Sequence, residues 1–269
     1  MEYNSKTVVE RDDIVKGLKR LGVKHGMGLM VHSSLSSFGW VEGGAITVIE
    51  ALMETVGTEG TILMPSFNHG AAFGKKGQGY YDPKETPTTN GIIPDTFWRL
   101  PDVFRSLNPT HPFAAWGKNA RRYTKDHHLT FTMGEDSPLG LLAREDGYQV
   151  NLGTTHGTTT AKHVAETIRR VPCLGFRKEE YPVKLSNGKI VKNRTWAWRS
   201  RVCPLTDSGE FIEVEMEKRG LQNKKKVGEA TVTFFSLLDL FKVVWYLLEN
   251  GYENYPPCSS CDIRKKKKK

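Results

Sequence analysis

The chain has 269 residues, 38% of them hydrophobic, and a formal net charge of +9 at pH 7. A domain of this size buries about 70–75% of its unfolded surface, so it can fold without disulfides or a structural metal. Residues 264–269 carry six of the positive charges, which leaves +3 for the rest of the chain. We therefore expect one domain over residues 1–256 and a disordered Cys- and Lys-rich tail over residues 257–269.

No part of the sequence is typical of a secreted or membrane-spanning protein. The first residues are polar, no run of about 18 or more apolar residues occurs, and the few cysteines fit a reducing compartment. We therefore expect a cytoplasmic protein that does not contact a membrane. Cys258 and Cys261 have the spacing of half a zinc site, but no second pair completes it, so we predict no metal. The lysine tail is suited at most to non-specific contacts with anions such as nucleic acid.

The amino-terminal part of the chain has the pattern of a βαβ unit. Thr7 and Glu10 form a capping box before a first amphipathic helix. Gly28–His32 is then predicted to be a buried strand, residues 33–44 a polar loop, and Thr61–Met64 a second strand. A helix between that loop and the second strand is predicted from apolar residues at helical spacing, namely Ile46, Ile49, Leu52, Met53 and Val56. Strand, helix and strand together indicate a layered α/β fold.

Residues 68–90 are rich in Gly, Lys, Pro and Thr. The segment is too long for an ordinary connection, so we predict an active-site loop or flap. Further elements are predicted as strands at Phe113–Trp116, Tyr148–Leu152 and Ala230–Phe235, as a hairpin at Lys184–Asn193, and as helices at Thr160–Arg170 and Leu237–Asn250. No linker separates these elements, which favours a single domain.

The loop at residues 33–44 leaves a strand and enters the amino terminus of a helix. Unpaired N–H groups and the positive end of the helix dipole suit such a place to a phosphate or a developing oxyanion. The loop lacks the Gly-Lys-Ser/Thr of a P-loop and the GxGxxG of a dinucleotide site. On the residues alone, a simple connection is an equal alternative.

His163 and Glu166 lie three residues apart on a predicted helix. They project about 60° apart, on the side opposite an apolar face formed by Ala161, Val164, Ala165 and Ile168. By spacing alone that polar side is more often solvent than the wall of a cleft. A metal would need more ligands than one such pair.

Two short polar turns also contain residues with chemical potential. The segments Arg105–Gly117 and Met133–Gly140 each precede an apolar stretch and have the composition of turns. Glu135 or Asp136 in the second turn could orient an imidazole, although sequence cannot show that they meet one. Cys173 and Cys203 are predicted to be core residues.

Four segments, read in order, carry a family resemblance. They are VHSSLSSFGWVEGGAITVIEALMETVGTEGTILMPSF, YYDPKETPTTNGIIPDTFWRLPDVFRSLNPTHPFAAWGKNA, MGEDSPLGLLAREDGYQVNLGTTHGTTTAKHVAE and KVGEA. Collinear from about residue 7 to residue 250, the chain resembles the aminoglycoside 3-N-acetyltransferases, a family of antibiotic acetyltransferases. The resemblance implies a single three-layer α/β/α domain around a mixed sheet. It also implies direct transfer of an acetyl group from acetyl-CoA to an amine, without an acyl-enzyme.

The same resemblance implies roles for individual residues. His163 falls on the family's general base, and Glu166 on the glutamate of the same segment. The implied contacts of the cofactor are Ser33, Ser34 and Leu35 at the pantetheine and thioester carbonyl, Ser137 and Pro138 beside Glu135, and Lys226 and Gly228 near the CoA arm. We also assign His111 and Thr160 to the cofactor site.

Physical chemistry agrees with these roles. An amine must lose its proton before it attacks a thioester, and an imidazole with a pKa near 6.5 is suited to accept that proton. Backbone N–H groups of the Ser33–Leu35 turn could stabilise the tetrahedral oxyanion. A carboxylate must hold His163 in the right tautomer, and the candidates are Glu135, Asp136 and Glu166.

The sequence also departs from the family. Met133 stands where many relatives have Cys, and Arg199 and Arg201 follow Trp196-Ala-Trp198 where resistance enzymes have acidic residues. A polycationic aminoglycoside should prefer carboxylates there. The residues that could compensate are Asp207, Glu210 and Glu213.

The leading hypothesis is acetyl-CoA-dependent N-acetylation of the 3-amino group of an aminoglycoside, a reaction that confers antibiotic resistance. The alternatives are acylation of a different amine metabolite, a CoA-binding protein without catalysis, and a metal-dependent hydrolase. The sequence leaves the oligomeric state open, with a homodimer as one alternative.

Overall fold

A mixed seven-stranded sheet organises the part of the chain that this computed structural model describes, which is residues 8–171, 174–199 and 203–253. In sheet order the strands are β10 (Gln222–Val227), β11 (Ala230–Ser236), β7 (Tyr148–Leu152), β2 (Gly28–Ser33), β4 (Thr61–Pro65), β6 (Phe113–Gly117) and β5 (Phe104–Arg105). Strands β7, β2 and β4 are parallel, and antiparallel strands flank them on both sides. The predicted βαβ unit is confirmed, because β2 and β4 pair in parallel with Leu29 beside Ile62.

Two smaller strand pairs lie outside this sheet. Strand β1 (Val8–Val9) runs parallel to β3 (Trp40–Val41), and β8 (Leu174–Lys184) runs antiparallel to β9 (Ile190–Arg199). The predicted hairpin is confirmed, since the Leu185 N–H donates to the Lys189 carbonyl (2.8 Å) across the turn. Its strands extend well beyond the predicted range.

Helices cover both faces of the large sheet. One face carries α1 (Arg11–Leu21), α2 (Ala45–Val56) and α3 (Ile92–Phe97), and the other carries α4 (Ala120–Thr124), α5 (Pro138–Arg144), α6 (Ala161–Ile168), α7 (Glu210–Lys218) and α8 (Leu237–Asn250). The predicted three-layer α/β/α fold around a mixed sheet is confirmed.

Side-chain alternation along the strands divides the core in two. In β2, Leu29 and Val31 pack on the side of α1 and α2, whereas Met30 between them packs on the side of α8. Ile62 and Leu63 of β4 divide in the same way. Strands buried on both faces read as continuous apolar runs, which is why their positions could be predicted.

The predictions for the first two helices need correction in detail. Helix α1 begins at Arg11 with Glu10 as its N-cap residue, and the Asp13 carboxylate accepts from the Glu10 N–H (3.1 Å). Acidic groups suit this end of a helix because they face its unpaired N–H groups. In α2, Ile46 and Met53 are only partly buried. Predicted stripe residues deeper in the helix, such as Leu52, are fully buried.

Several expectations concern residues outside the described ranges. They are those for Thr7, for Cys173 and for the tail at residues 257–269 with its two cysteines. Cys203 is described, and it is buried against the core around α6 and α8, as predicted. Within the described ranges, no helix has the length and apolar character needed to span a bilayer.

Gly153, at the end of β7, is fixed by a close approach. Its φ is +69°, and a Cβ built there would overlap the hydroxyl of Ser37, which itself donates to the Ser34 carbonyl (2.7 Å).

We expect Gly153→Ala to lower the free energy of unfolding by at least about 3 kcal/mol, from the positive φ together with the clash. Gly26→Ala is the control, because its φ is also positive but no atom lies within 4 Å of the added Cβ. In urea denaturation, Gly26→Ala should lower the free energy of unfolding by only about 1 kcal/mol. Equal losses in the two variants would contradict the close approach.

Candidate functional site

A cleft of about 750 Å³ opens at the carboxyl ends of the parallel strands β2, β4 and β7. Such an edge is where open α/β sheets place ligands. The segment predicted as a flap, residues 68–90, contributes His69 and Thr89 to its wall, and the β8–β9 hairpin contributes Glu179 and Tyr181. The cleft therefore collects side chains from distant parts of the chain.

His163 lines this cleft from the first turn of α6. Its Nδ1 lies 2.8 Å from the Oε2 of Glu166 on the next turn, and the two side chains are 27% and 0% exposed. An Nδ1–H that donates to a carboxylate leaves Nε2 as the basic nitrogen of the neutral ring. The pair thus presents a base to the cleft in a defined tautomer.

Glu166 is held from its other side as well. The Thr206 hydroxyl donates to Oε1 at 2.5 Å, and Thr206 is fully buried in the segment between β9 and α7. Spacing alone predicted that this side of α6 faces solvent, and that interpretation is wrong. The segment that carries Thr206 covers Glu166, so the polar side of α6 is a second packed surface.

Met133 lines the cleft, but the carboxylates that follow it in the turn Met133–Gly140 do not. Glu135 and Asp136 are exposed, and neither appears among the described residues that line the cleft. Asp136 pairs with Arg144 at 3.3 Å. Of the three candidate carboxylates, the one in contact with His163 is therefore Glu166.

Ser137 and Pro138 begin helix α5. The Ser137 hydroxyl donates to the Gly134 carbonyl (2.7 Å) and accepts from the Gly140 N–H (3.1 Å), and Pro138 follows at the first helical position. Both are buried and neither is among the described residues of the cleft wall. Their environment is that of a helix cap, and their assignment to the cofactor stays a prediction.

Ser33, Ser34 and Leu35 connect the cleft to a neighbouring groove of about 750 Å³. Ser33 lines both, and its buried Oγ has no hydrogen-bond partner among the described residues. The Ser34 N–H donates to the Leu152 carbonyl (2.9 Å), so it is not available to an oxyanion. The first N–H groups of the short 3₁₀ helix Leu35–Phe38 have no acceptor within that helix and are better placed for the role.

Three neutral histidines, His32, His69 and His111, line the same cleft as Ser33. Burial lowers the pKa of His32 to about 3, with a smaller contribution from Lys162, and lowers that of His111 also to about 3. Burial likewise lowers the pKa of His69, whose ring lies edge-on to His111. The predicted contacts His111 and Thr160 both line the cleft, and the Thr160 N–H donates to His32 Nε2 (3.3 Å).

Lys226 on β10 and Gly228 in the turn to β11 lie away from the cleft. The Lys226 ammonium donates to the Glu229 carbonyl (2.8 Å). Gly228 has a φ of +55°, and a Cβ there would crowd Val9 and the Phe38 carbonyl. This turn therefore packs against the 3₁₀ helix Leu35–Phe38.

The charge of the cleft wall is low for a site that binds a polycation. Among the described residues that line it, Glu179 is the one carboxylate, and the buried Lys162 ammonium donates to the carbonyls of Gly157 and Asp207. The residues proposed to compensate, Asp207, Glu210 and Glu213, are not in this wall. Glu213 pairs with Lys224 at 2.6 Å. The side chains of Arg199 and Arg201 lie outside the described parts.

Sequence reasoning missed His32, Lys162, Thr206 and the pair Glu179–Tyr181. Only His32 had a local signal, since it ends a predicted strand directly before the Ser-Ser-Leu loop. The described residues contain no group of three or more His, Cys, Asp or Glu side chains placed to hold a metal ion.

Comparisons with known proteins identify the family of this chain. A sequence model described as "Aminoglycoside 3-N-acetyltransferase" matches residues 30–249. The chain belongs to the aminoglycoside 3-N-acetyltransferase family. It is 35% identical over 259 residues to the SPbeta prophage-derived aminoglycoside N(3')-acetyltransferase-like protein YokD of Bacillus subtilis, covering 88% of this chain and 92% of that protein. It is 30% identical over 274 residues to aminoglycoside N(3)-acetyltransferase VII of Streptomyces paromomycinus, covering 92% and 95%.

Solved structures of the family superpose on this one. The crystal structure of YokD from Bacillus subtilis has a TM-score of 0.77 at 32% identity, covering 90% of this chain and 94% of that one. A histidine-to-alanine mutant of aminoglycoside acetyltransferase AAC(3)-IVa, in complex with a gentamicin, has a TM-score of 0.76 at 28% identity, covering 98% and 99%. As a member of this acyltransferase family, the chain is an enzyme.

Buried neutral histidines should make the stability fall in acid. Burial lowers the pKa values of His32, His111 and His127 to about 3, 3 and 4, so these rings stay neutral in the folded chain while the unfolded chain protonates them below about pH 6.5. Unfolding then takes up protons. The free energy of unfolding should drop by up to about 1.4 kcal/mol per pH unit for each histidine between about pH 6.5 and 4.

Urea denaturation at several pH values measures this slope. His127→Gln should reduce it, because glutamine does not titrate, whereas His25→Gln, at an exposed histidine, should leave it unchanged. An unchanged slope in His127→Gln would show that His127 is protonated in the folded chain.

Proposed function

We propose that the protein is an acetyl-CoA-dependent N-acetyltransferase that transfers the acetyl group directly to an amine, with His163 as general base. The observation that carries this proposal is the chain of contacts from His163 through the buried Glu166 to Thr206, at the wall of the cleft. These contacts fix the Nδ1–H tautomer of His163 at a position where an acceptor could bind.

The base has a defined task in this reaction. The acceptor is an ammonium ion near neutral pH and becomes nucleophilic only after it loses a proton. His163 Nε2 takes that proton, while Glu166 stabilises the imidazolium that forms. General-base help of this kind is typically worth about 10²–10⁴-fold in rate.

We assign the binding of the thioester carbonyl to the Ser33–Leu35 region. Attack of the amine nitrogen on the thioester carbon gives a tetrahedral intermediate with a negative oxygen. Collapse breaks the C–S bond, and the second excess proton of the nitrogen passes to the departing sulfur, so the products are the amide and the CoA thiol. The N–H groups at the start of the 3₁₀ helix and the buried Ser33 hydroxyl are the donors that could hold that oxygen. One such donor is typically worth about 10²–10³-fold.

The acceptor that relatives suggest is an aminoglycoside. Several relatives are described as aminoglycoside N(3)-acetyltransferases, and one related structure contains a gentamicin. We propose the 3-amino group of an aminoglycoside as the acceptor. The second candidate, a different amine metabolite, is favoured by Glu179 being the one carboxylate among the described residues of the cleft wall.

His163→Ala should abolish acetyl transfer while leaving acetyl-CoA binding largely intact, because the variant loses the base and not the cofactor groove. Thiol release from acetyl-CoA, measured with gentamicin, kanamycin and simple amines, gives the rate and the acceptor. Calorimetry gives the binding. His25→Ala, at an exposed histidine, is the control.

Turnover by His163→Ala would contradict the base assignment. Release by the natural protein with simple amines but not with either antibiotic would transfer the proposal to the second class of acceptor. Binding of acetyl-CoA without release with any amine would favour a CoA-binding protein without catalysis.

Thr206 is a positioning residue, since it acts through Glu166. Thr206→Val keeps the shape but removes the donor, so the carboxylate loses a partner and His163 loses part of its orientation. We expect kcat to fall about 10- to 100-fold, with KM for acetyl-CoA unchanged and the acidic limb of the pH–rate profile displaced. Thr206→Ser keeps the hydroxyl and should restore most of the rate. Equal loss in both variants would indicate a packing role alone.

A further inference from the structure

A second concave surface lies at the β5 edge of the large sheet, apart from the cleft. It is a groove of about 970 Å³, bordered by β5, by the end of α4 and by the turn between β8 and β9. No described residue of its wall also lines the cleft. We call it the β5 groove, and we propose that it binds a small molecule that carries a phosphate group. This inference goes beyond the proposed reaction and does not depend on it.

Cationic side chains dominate the wall of the β5 groove. They outnumber the two carboxylates of the wall, Asp82 and Glu85, and are Lys84, Arg99, Arg105, Arg121, Lys125 and Lys184. Three of them lie near a carboxylate, in the pairs Lys184–Asp82 (3.0 Å), Arg99–Asp95 (3.3 Å) and Lys125–Asp126 (3.6 Å). Among the described residues, no carboxylate lies within 4.0 Å of Lys84, Arg105 or Arg121. The fields of these cations add in the groove and attract an anion.

Arg105 is a cation that the fold holds in place before any ligand binds. Its guanidinium lies against the indole of Trp98, 4.2 Å from the ring centroid, and donates to the carbonyls of Ser66 (2.9 Å) and Thr86 (2.6 Å). These acceptors are neutral, so they leave the positive charge of Arg105 uncancelled. A charge of fixed position attracts an anion without the entropy cost of ordering a mobile side chain.

Arg121 and Lys125 supply cations that can reach a ligand directly. Both are exposed and lie four residues apart at α4, which places them on the same side. The Arg121 guanidinium is 5.0 Å from the ring centroid of Phe104, so it lies over β5. Hydrogen bonds from Arg and Lys to phosphate oxygens are among the strong ones in proteins. We therefore assign the phosphate contacts to Arg121 and Lys125, with Arg105 adding to the field behind them.

The shape of the β5 groove favours a small molecule over a nucleic acid. Its volume is in the range of small-molecule sites, and its cations come from separate segments of the chain around one concavity. A nucleic acid would instead require basic residues along an extended strip. The wall also contains Val103, Phe104 and Leu107, whose apolar groups can contact the organic part of a phosphate ester.

Calorimetry with ribose 5-phosphate as the probe tests the inference. The natural protein should bind this phosphate ester and not ribose, which lacks the charge. The double variant Arg121→Gln with Lys125→Gln should weaken the binding about tenfold, because it removes two phosphate contacts. The control is Lys24→Gln with Lys218→Gln, which removes the same charge at exposed lysines outside the β5 groove and should leave the affinity unchanged.

Several results would overturn the inference. They are an absence of binding by the natural protein, equal weakening in the two double variants, and a rise in KM for acetyl-CoA in the Arg121–Lys125 variant, which would assign the groove to the cofactor. Tighter binding of a short single-stranded RNA than of ribose 5-phosphate, lost in the same variant, would assign the groove to nucleic acid instead. Because the probe is measured without acetyl-CoA or an amine, failure of the proposed acetyl transfer would leave this inference standing.

Discussion

Glu166 is a fully buried carboxylate, and its hydrogen bonds fix the orientation of His163 in the candidate site. An ionised carboxylate without partners costs several kcal/mol to bury, so hydrogen bonds such as those with His163 and Thr206 are conditions for its presence there. Loss of either partner removes one of these hydrogen bonds from a fully buried carboxylate. The orientation of His163 is therefore tied to the closure of the segment that carries Thr206, and packing and chemistry are coupled through one side chain.

That coupling depends on how α6 is held. Val164 and Ala165 pack into the core on one side of the helix. The Trp245 indole N–H of α8 donates to the Ala165 carbonyl (2.9 Å), which fixes the helix along its axis. A shift of α6 by one residue would rotate its side chains by about 100° and take His163 out of the cleft. Core residues and Trp245 of α8 thus set the position of His163 in the cleft.

The layered fold was predictable because its signals are local. Buried parallel strands are short apolar runs, and the helices between them have apolar faces, so β2, β4 and β7 follow from the sequence near them. The site was predictable only in part. His163 and the Ser33 loop came from a family resemblance, whereas periodicity alone assigned His163 and Glu166 to solvent. A polar face on a helix looks the same whether water or a polar segment covers it, and Thr206 lies 40 residues from Glu166. The exposed Asp136 had equal standing as a candidate, because sequence does not report which carboxylate is buried.

The cleft of the candidate site gains little charge from its histidines. Burial lowers the pKa values of His32 and His111 to about 3, so both rings stay neutral near neutral pH and can form hydrogen bonds. The charge of the buried Lys162 is engaged by the Gly157 and Asp207 carbonyls, to which its ammonium donates. Charged rings in the same place would repel a cationic ligand, because the fields of like charges add. Burial thus determines the electrostatics of the cleft as well as the orientation of His163.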